Sequence, residues 1–235
     1  MRATDFINIY LEQMQPLEEG PNDPHIFKAV FMAGGPGSGK SYASGKLLGG
    51  TGLKTVNSDD IYEYLAYKNQ LDLSDPDVVG SDKGQEIRNR AKQLTNMRKN
   101  MYLDGRLGVL IDGTGKDVAK VAKDKSALEE LGYECIMIMI NTDLDVTLKR
   151  NAQRARTVPP KMLTKMWNAV QSNIGKFQRL FGAANFHILD NTYGLDHEDV
   201  KDDALEVQRD INNFLSAEPK MPAAKEWLQQ QRENK

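Results

Sequence analysis

Apolar residues in this chain gather into short continuous runs, and longer stretches with apolar positions three and four apart lie between them. The runs Phe27–Ala33, Lys54–Asn57, Leu107–Ile111, Glu134–Ile140 and Asn185–Leu189 read as strands. Near-continuous apolar strands belong to parallel sheets covered on both faces, whereas a half-exposed sheet alternates. The intervening stretches predict helices near 39–49, 60–69, 83–104, 116–131, 143–155 and 160–180. In the third of these, Ile87, Ala91, Leu94 and Met101 share one face, as a helix packed on other elements requires. Regular alternation of strand and helix predicts an α/β fold, a three-layer α/β/α arrangement around a five-stranded parallel sheet. Thr114-x-x-Asp117 and Thr142-x-x-Asp145 have the spacing of capping boxes, with Asp in place of Glu.

The ends read differently. Phe6, Ile9, Tyr10 and Met14 give Thr4–Gln15 a helical spacing, and the breaker-rich Gly20–Pro24 follows as a linker. Asp202–Leu215 predicts a further helix, and the tail from Ala217 carries Pro219, Pro222 and a stretch around Trp227 that is expected to pack back onto the domain. The organisation expected is an N-terminal helix and linker over 1–25, a central domain over 26–195, and a C-terminal helical extension over 196–235.

Composition narrows the class. A chain of 235 residues holds one well-buried α/β domain and is too short for two of full size. A net charge of −2 argues against a body built to coat nucleic acid, though a local basic groove stays open. The single cysteine, Cys135, lies in an apolar run and predicts a buried, inert thiol without an intramolecular disulfide. No apolar stretch reaches membrane-spanning length and the N-terminus lacks a secretory apolar region, so the expected location is cytoplasmic, in a bacterial or phage-infected cytosol.

Candidate chemistry begins directly after the first strand. Gly34-Gly35-Pro36-Gly37-Ser38-Gly39-Lys40-Ser41 matches G-x-x-x-x-G-K-[ST] in full, between a strand and a helix. Phosphate oxygens must approach main-chain N–H groups converging at a helix N-terminus, and a Cβ on the loop would obstruct them. These eight residues, with Tyr42 directly after, are the candidate nucleotide-binding set of a P-loop NTPase fold. Lys40 supplies positive charge for the β and γ phosphates, and the Ser41 hydroxyl is the candidate Mg²⁺ ligand.

The rest of the site is read from the carboxyl ends of the other strands, where open α/β sheets bind ligands. Asn57-Ser58-Asp59-Asp60 follows the second strand, and Asp59 is the candidate base for an acceptor hydroxyl; of Ser58 and Asp59, one is expected to cap the helix from Asp60 onward. Asp112 ends the third strand, positioned to hold Mg²⁺ through water or to meet the acceptor, and Asp60, Asp112 and Thr114 form the candidate acceptor set. Gly115-Lys116 lacks the glycine spacing of a second phosphate loop. Arg150 and Arg154, four apart on a predicted helix and followed by Arg156, offer cations for a migrating phosphoryl group; the alternative is a solvated helix end.

Together these segments resemble the P-loop kinases that include phage polynucleotide 5′-kinase and the zeta-toxin kinases, over Phe27 to about Phe181. Asn57-Ser58-Asp59-Asp60 is similar to the N-x-D-D segment whose first aspartate is the general base, which implies that role for Asp59. Lys149-Arg150-Asn151 through Arg154, with Val158-Pro159, is similar to the family's helical lid; this implies that Arg154 stabilises the transferring phosphoryl group and Arg150 assists. Where the polynucleotide kinase has an aromatic residue and then an acceptor-holding arginine, this chain has Ile61 and Tyr62. His187-Ile188-Leu189-Asp190-Asn191 is closer to the zeta-toxin side, where a strand ends in Asp-Asn near the nucleotide.

The resemblance implies an ATP- and Mg²⁺-dependent kinase with catalytic residues Asp59, Lys40, Arg154 and Arg150. Its acceptor would be the 5′-hydroxyl of a polynucleotide or a nucleoside-type substrate. A nucleotide-sugar acceptor is the alternative, and a nucleotide-dependent adaptor ATPase is a third reading from another class.

Overall fold

The computed structural model describes residues 23–154 and 157–233. They divide into two compact units: a helical one built from Val56–Arg106, and one built from the segments on either side of it.

The flanking segments form a five-stranded parallel sheet. Its strands are β1 (Lys28–Ala33), β2 (Lys54–Val56), β3 (Val109–Gly113), β4 (Glu134–Asn141) and β5 (Phe186–Asp190). The spatial order is β2-β3-β1-β4-β5. β1 is central, so successive crossovers leave it toward opposite edges and open a crevice at the carboxyl ends of the strands. The helices of this unit are α1 (Lys40–Leu48), α5 (Val118–Glu130), α6 (Leu144–Ala152), α7 (Pro160–Phe181), α8 (Glu198–Ser216) and α9 (Pro222–Glu233). The helical unit holds α2 (Ser58–Lys68), α3 (Pro76–Gly80) and α4 (Asp82–Asp104).

The continuous apolar runs reflect burial on both sheet faces. Every residue of β1 is buried, and so are Cys135 to Ile140 of β4. Successive side chains point to opposite faces. Val30 and Met32 of β1, with Ile136, Ile138 and Ile140 of β4, pack against Ala43 and Leu47 of α1 and Val207 and Ile211 of α8. On the alternate positions Phe31 meets Phe181 of α7, ring centroids 5.3 Å apart. Cys135 is a free buried thiol, pushed up to about 12 chiefly by that burial. Such a thiol stays protonated and inert, as expected.

Trp227 lies edge-on to the fully buried Phe27 with centroids 5.4 Å apart, so the tail from Ala217 folds back through α9 as expected. The predicted helix over Thr4–Gln15 lies outside the described residues. Among the described residues no helix is long and apolar enough to cross a membrane.

Three local readings need correction. α5 is capped by Asp117, whose carboxylate accepts the N–H of Lys120 at 2.9 Å, so the helix does not start at Thr114. α6 begins after Asp143 without a side-chain cap, because the Thr142 hydroxyl is engaged elsewhere. α6 also ends at Ala152, short of the predicted 155, so Arg150 and Arg154 do not share a helix face. The short α3, capped by Asp75 accepting from Asp77 N–H at 2.9 Å, carries too few residues for periodicity to reveal.

Candidate functional site

The segment between β1 and α1 is built to present backbone donors. Gly39 stands at the N-cap of α1 with no side-chain cap, and the first helical bond runs from Ala43 N–H to Gly39 C=O at 3.0 Å. The N–H groups of Lys40, Ser41 and Tyr42 therefore have no acceptor within the helix and face the positive end of its dipole. Gly37 and Gly39 adopt φ of +82° and +79°. A Cβ at Gly37 would lie 2.7 Å from the Thr147 carbonyl oxygen, and one at Gly39 would collide with the Asn191 amide. These glycines are thus demanded by the walls of the loop as well as by room for a ligand.

The walls come from the ends of β4 and β5 and from α6. The Ser38 carbonyl accepts from the Thr142 hydroxyl at 3.0 Å and from the Asn191 amide at 2.8 Å. Both of its lone pairs are drawn to the protein side, which holds the loop's N–H groups toward the opening. Arg150 of α6 donates through Nη2 to the Asn191 carbonyl at 2.9 Å and the Thr192 carbonyl at 3.3 Å, tying α6 to the segment after β5. Its Nη1 lies 3.6 Å from the Cβ position of Gly39.

Among the described residues, four buried polar atoms around this loop have no hydrogen-bond partner: Ser38 Oγ, Thr147 Oγ1, Arg150 Nη1 and Asn191 Oδ1. Buried polar groups are paired in the great majority of cases, so this concentration singles out the loop as a candidate site for a polar ligand.

Lys40 forms an ion pair with Asp112 at the end of β3, and both side chains are mostly buried. The strand register sets this up, since Met32 lies beside Asp112 and Ala33 beside Gly113. The acceptor candidate Asp112 is therefore the immediate partner of the loop lysine. The Tyr42 hydroxyl and the Lys46 ammonium both meet Asp196, an exposed arrangement in which the two donors hold the Asp196 carboxyl below its usual range.

Arg154 is exposed beyond the end of α6, and Arg156 lies outside the described residues. Asn151 is buried; its amide nitrogen donates to the Val158 carbonyl at 2.8 Å and its Oδ1 accepts the Val158 N–H at 3.0 Å. Thr114 lies in the loop after β3, half-buried.

Within the helical unit, Asn57 caps α2 and accepts the Asp59 N–H at 2.8 Å, so the cap is the residue before Ser58. The Asp59 side chain is not used for capping and is exposed, as is Asp60 beside it. Tyr62 is 1% exposed and packs with Leu65, Ile87 and Ala91 under the Arg88 guanidinium, 4.6 Å from the ring centroid. It is a core residue of this unit, and the Arg88 guanidinium covers it.

Sequence reasoning missed Thr147 and Asn151, and assigned Thr142 to a helix cap. Nothing local distinguishes these residues; their roles exist only once β4, α6 and the phosphate loop meet. Asn191 did carry a signal, its place at the end of a strand.

A family model for an AAA domain matches residues 30–176, more than half of the chain. The chain belongs to this family. It is a P-loop kinase-like family, and the matched span runs from β1 through most of α7. No curated protein matches the sequence.

The fold is similar to that of a presumed kinase from Chloroflexus aurantiacus, at a TM-score of 0.57 and 15% identity over 80% of this chain and 98% of that one. It is also similar to a structure of the PezAT toxin–antitoxin system of Streptococcus pneumoniae, at a TM-score of 0.54 and 13% identity over 92% of this chain and 99% of that one. These likenesses concern the fold.

Proposed function

We propose that this protein is a kinase that moves the γ-phosphoryl group of ATP to a hydroxyl acceptor. The 5′-hydroxyl of a polynucleotide or nucleoside-type substrate is the acceptor favoured by the resemblance of its N-x-D-D segment and lid. The observation that carries the reading is the phosphate loop itself, which brings together helix N–H groups without a side-chain cap, the Lys40–Asp112 pair and, among the described residues, four buried polar atoms without a hydrogen-bond partner.

In this reading the N–H groups of Lys40, Ser41 and Tyr42 bind phosphate oxygens, and Lys40 exchanges Asp112 for the β and γ phosphates. Arg150 Nη1, already aimed at the loop, takes up charge on the migrating group, joined by Arg154 from the segment beyond α6. Asp59 accepts the proton of the acceptor hydroxyl as its oxygen attacks phosphorus and the bond to the ADP leaving oxygen breaks. Oxygen donors at Ser41 and Asp112 suit Mg²⁺, a hard cation that takes one or two protein ligands together with substrate phosphates. When bound, Mg²⁺ would neutralise the triphosphate.

A nucleotide-sugar acceptor is the second reading, favoured by the Asp190-Asn191 ending, since Asn191 is bonded to the loop at Ser38. The test is label transfer from γ-labelled ATP to 5′-hydroxyl DNA, 5′-hydroxyl RNA, a nucleoside and a nucleotide sugar, with Lys40→Ala as control. Label on an oligonucleotide or nucleoside that the control loses supports the first reading. Label on the nucleotide sugar alone moves the assignment to the second, and label on none of them contradicts both.

A further inference from the structure

The loop after β3 and the start of α5 face one side of α7 across a pocket of about 680 Å³. Three lysines line it, Lys116 from the loop and Lys165 and Lys176 from α7, with Met162 and Met166 between them. The α7 residues are spaced three and four apart, so they form a single stripe. All three lysines are exposed, and Met162 is 57% exposed. Among the described residues the lining holds one carboxylate, that of Asp117, which accepts the Lys120 N–H at the α5 cap. The pocket therefore combines excess positive charge with an apolar floor.

Its frame is fixed. Asn173 is buried; its amide nitrogen donates to the carbonyls of Gly115 and Lys116, each at 3.1 Å, and its Oδ1 accepts from Lys176 at 3.0 Å. That one side chain joins α7 to the loop after β3 and orients two of the three lysine segments. Gly115 has φ of +72°, and a Cβ there would lie 3.0 Å from the Cβ of Ala33, the last residue before the phosphate loop. The loop carrying Lys116 thus runs against the base of the nucleotide site and follows Asp112 and Thr114 directly.

We infer that this pocket is a second anion site that holds a phosphate group carried by the acceptor. The inference rests on the kinase reading and narrows its acceptor to the phosphate-bearing class. Three lysine ammonium groups against one carboxylate favour an anion, and phosphate oxygens accept from several at once. Methionine side chains suit the face of a base or sugar next to that phosphate, because they are flexible and polarizable. A 5′-hydroxyl strand supplies this chemistry through its first phosphodiester, and a nucleotide sugar through its diphosphate.

The experiment measures equilibrium binding, which does not depend on turnover. Thymidine, the dinucleotide TpT and UDP-glucose are titrated into the full chain with ADP present, for the unaltered protein and for Lys165→Gln/Lys176→Gln. A second variant, Lys165→Glu, leaves the Lys176–Asn173 bond in place, and melting curves confirm that each folds. The expected result is that TpT or UDP-glucose binds more tightly than thymidine and weakens about tenfold in both variants, with lower sensitivity to salt. TpT responding assigns the phosphate to a strand; UDP-glucose responding assigns it to a nucleotide sugar.

Equal affinity for thymidine and the phosphate-bearing probes, or no weakening in either variant, overturns the site. Weakened binding in the variants without label transfer to any acceptor would keep the site and reject the kinase reading.

Discussion

The ammonium of Lys40 on the phosphate loop is paired with the carboxylate of Asp112 on the neighbouring strand. The pair gives the lysine an anionic partner within the protein. Binding a triphosphate then exchanges one anionic partner for another. In a double-mutant cycle with Lys40→Met and Asp112→Asn, unfolding of the nucleotide-free protein should show a coupling of about 1 kcal/mol. Saturation with ADP and Mg²⁺ should remove most of it, because Lys40 then bonds the phosphates. Thermal or urea unfolding with and without nucleotide reads both values.

Gly39 meets two demands at once, a positive φ and the close wall of Asn191. Gly39→Ala should destabilise the fold by about 1–3 kcal/mol and abolish measurable nucleotide binding. Adding Asn191→Ala removes the wall but leaves the strained backbone, so it should recover only part of the stability. Full recovery would show that φ at this position carries no cost.

Arg150 spans two carbonyls with one guanidinium nitrogen and aims the other at the loop. A lysine has no fork with which to do both. Arg150→Lys should therefore lower kcat by about a hundredfold while leaving ADP affinity within a few-fold. Steady-state kinetics alongside nucleotide titration separates the two effects. An equal loss in ADP affinity would reduce Arg150 to a wall of the binding site.

His187 on β5 is half-buried, with Asp210 at 4.0 Å. Burial lowers its pKa below the ordinary value and outweighs the Asp210 and Glu206 carboxylates, which raise it. Protonation therefore favours the unfolded chain, where histidine titrates near ~6.5. The folded state keeps its full stability above that pH and loses part of it as pH falls from there toward the folded pKa. His187→Gln should flatten this part of the stability curve, as urea midpoints between about pH 5 and 8 would show.

The sheet was legible because its signal is local and repeated. β1 and β4 are buried along nearly their whole length, and only apolar side chains serve there. The phosphate loop was legible for the opposite reason: few sequences satisfy its backbone, and glycine at Gly34 and Gly39 is written into the motif. What escaped was contact between distant segments. Thr142 reads as a helix cap until Ser38 is placed beside it, and Asn173 looks like any polar residue on an amphipathic helix until the carbonyls of Gly115 and Lys116 arrive. The helical spacing of Arg150 and Arg154 makes them read as a pair, but α6 ends at Ala152 and gives them different settings.

The fate of the γ-phosphoryl group tests the account most directly. Phosphorus NMR of the protein with ATP and Mg²⁺ follows it, with and without a 5′-hydroxyl oligonucleotide or a nucleotide sugar. The account predicts that ADP appears in step with a new phosphomonoester only when the acceptor is present, and that Asp59→Asn binds ATP but forms neither. Inorganic phosphate released at one rate with every acceptor and with none would contradict it, and would make the chain an ATPase that activates water.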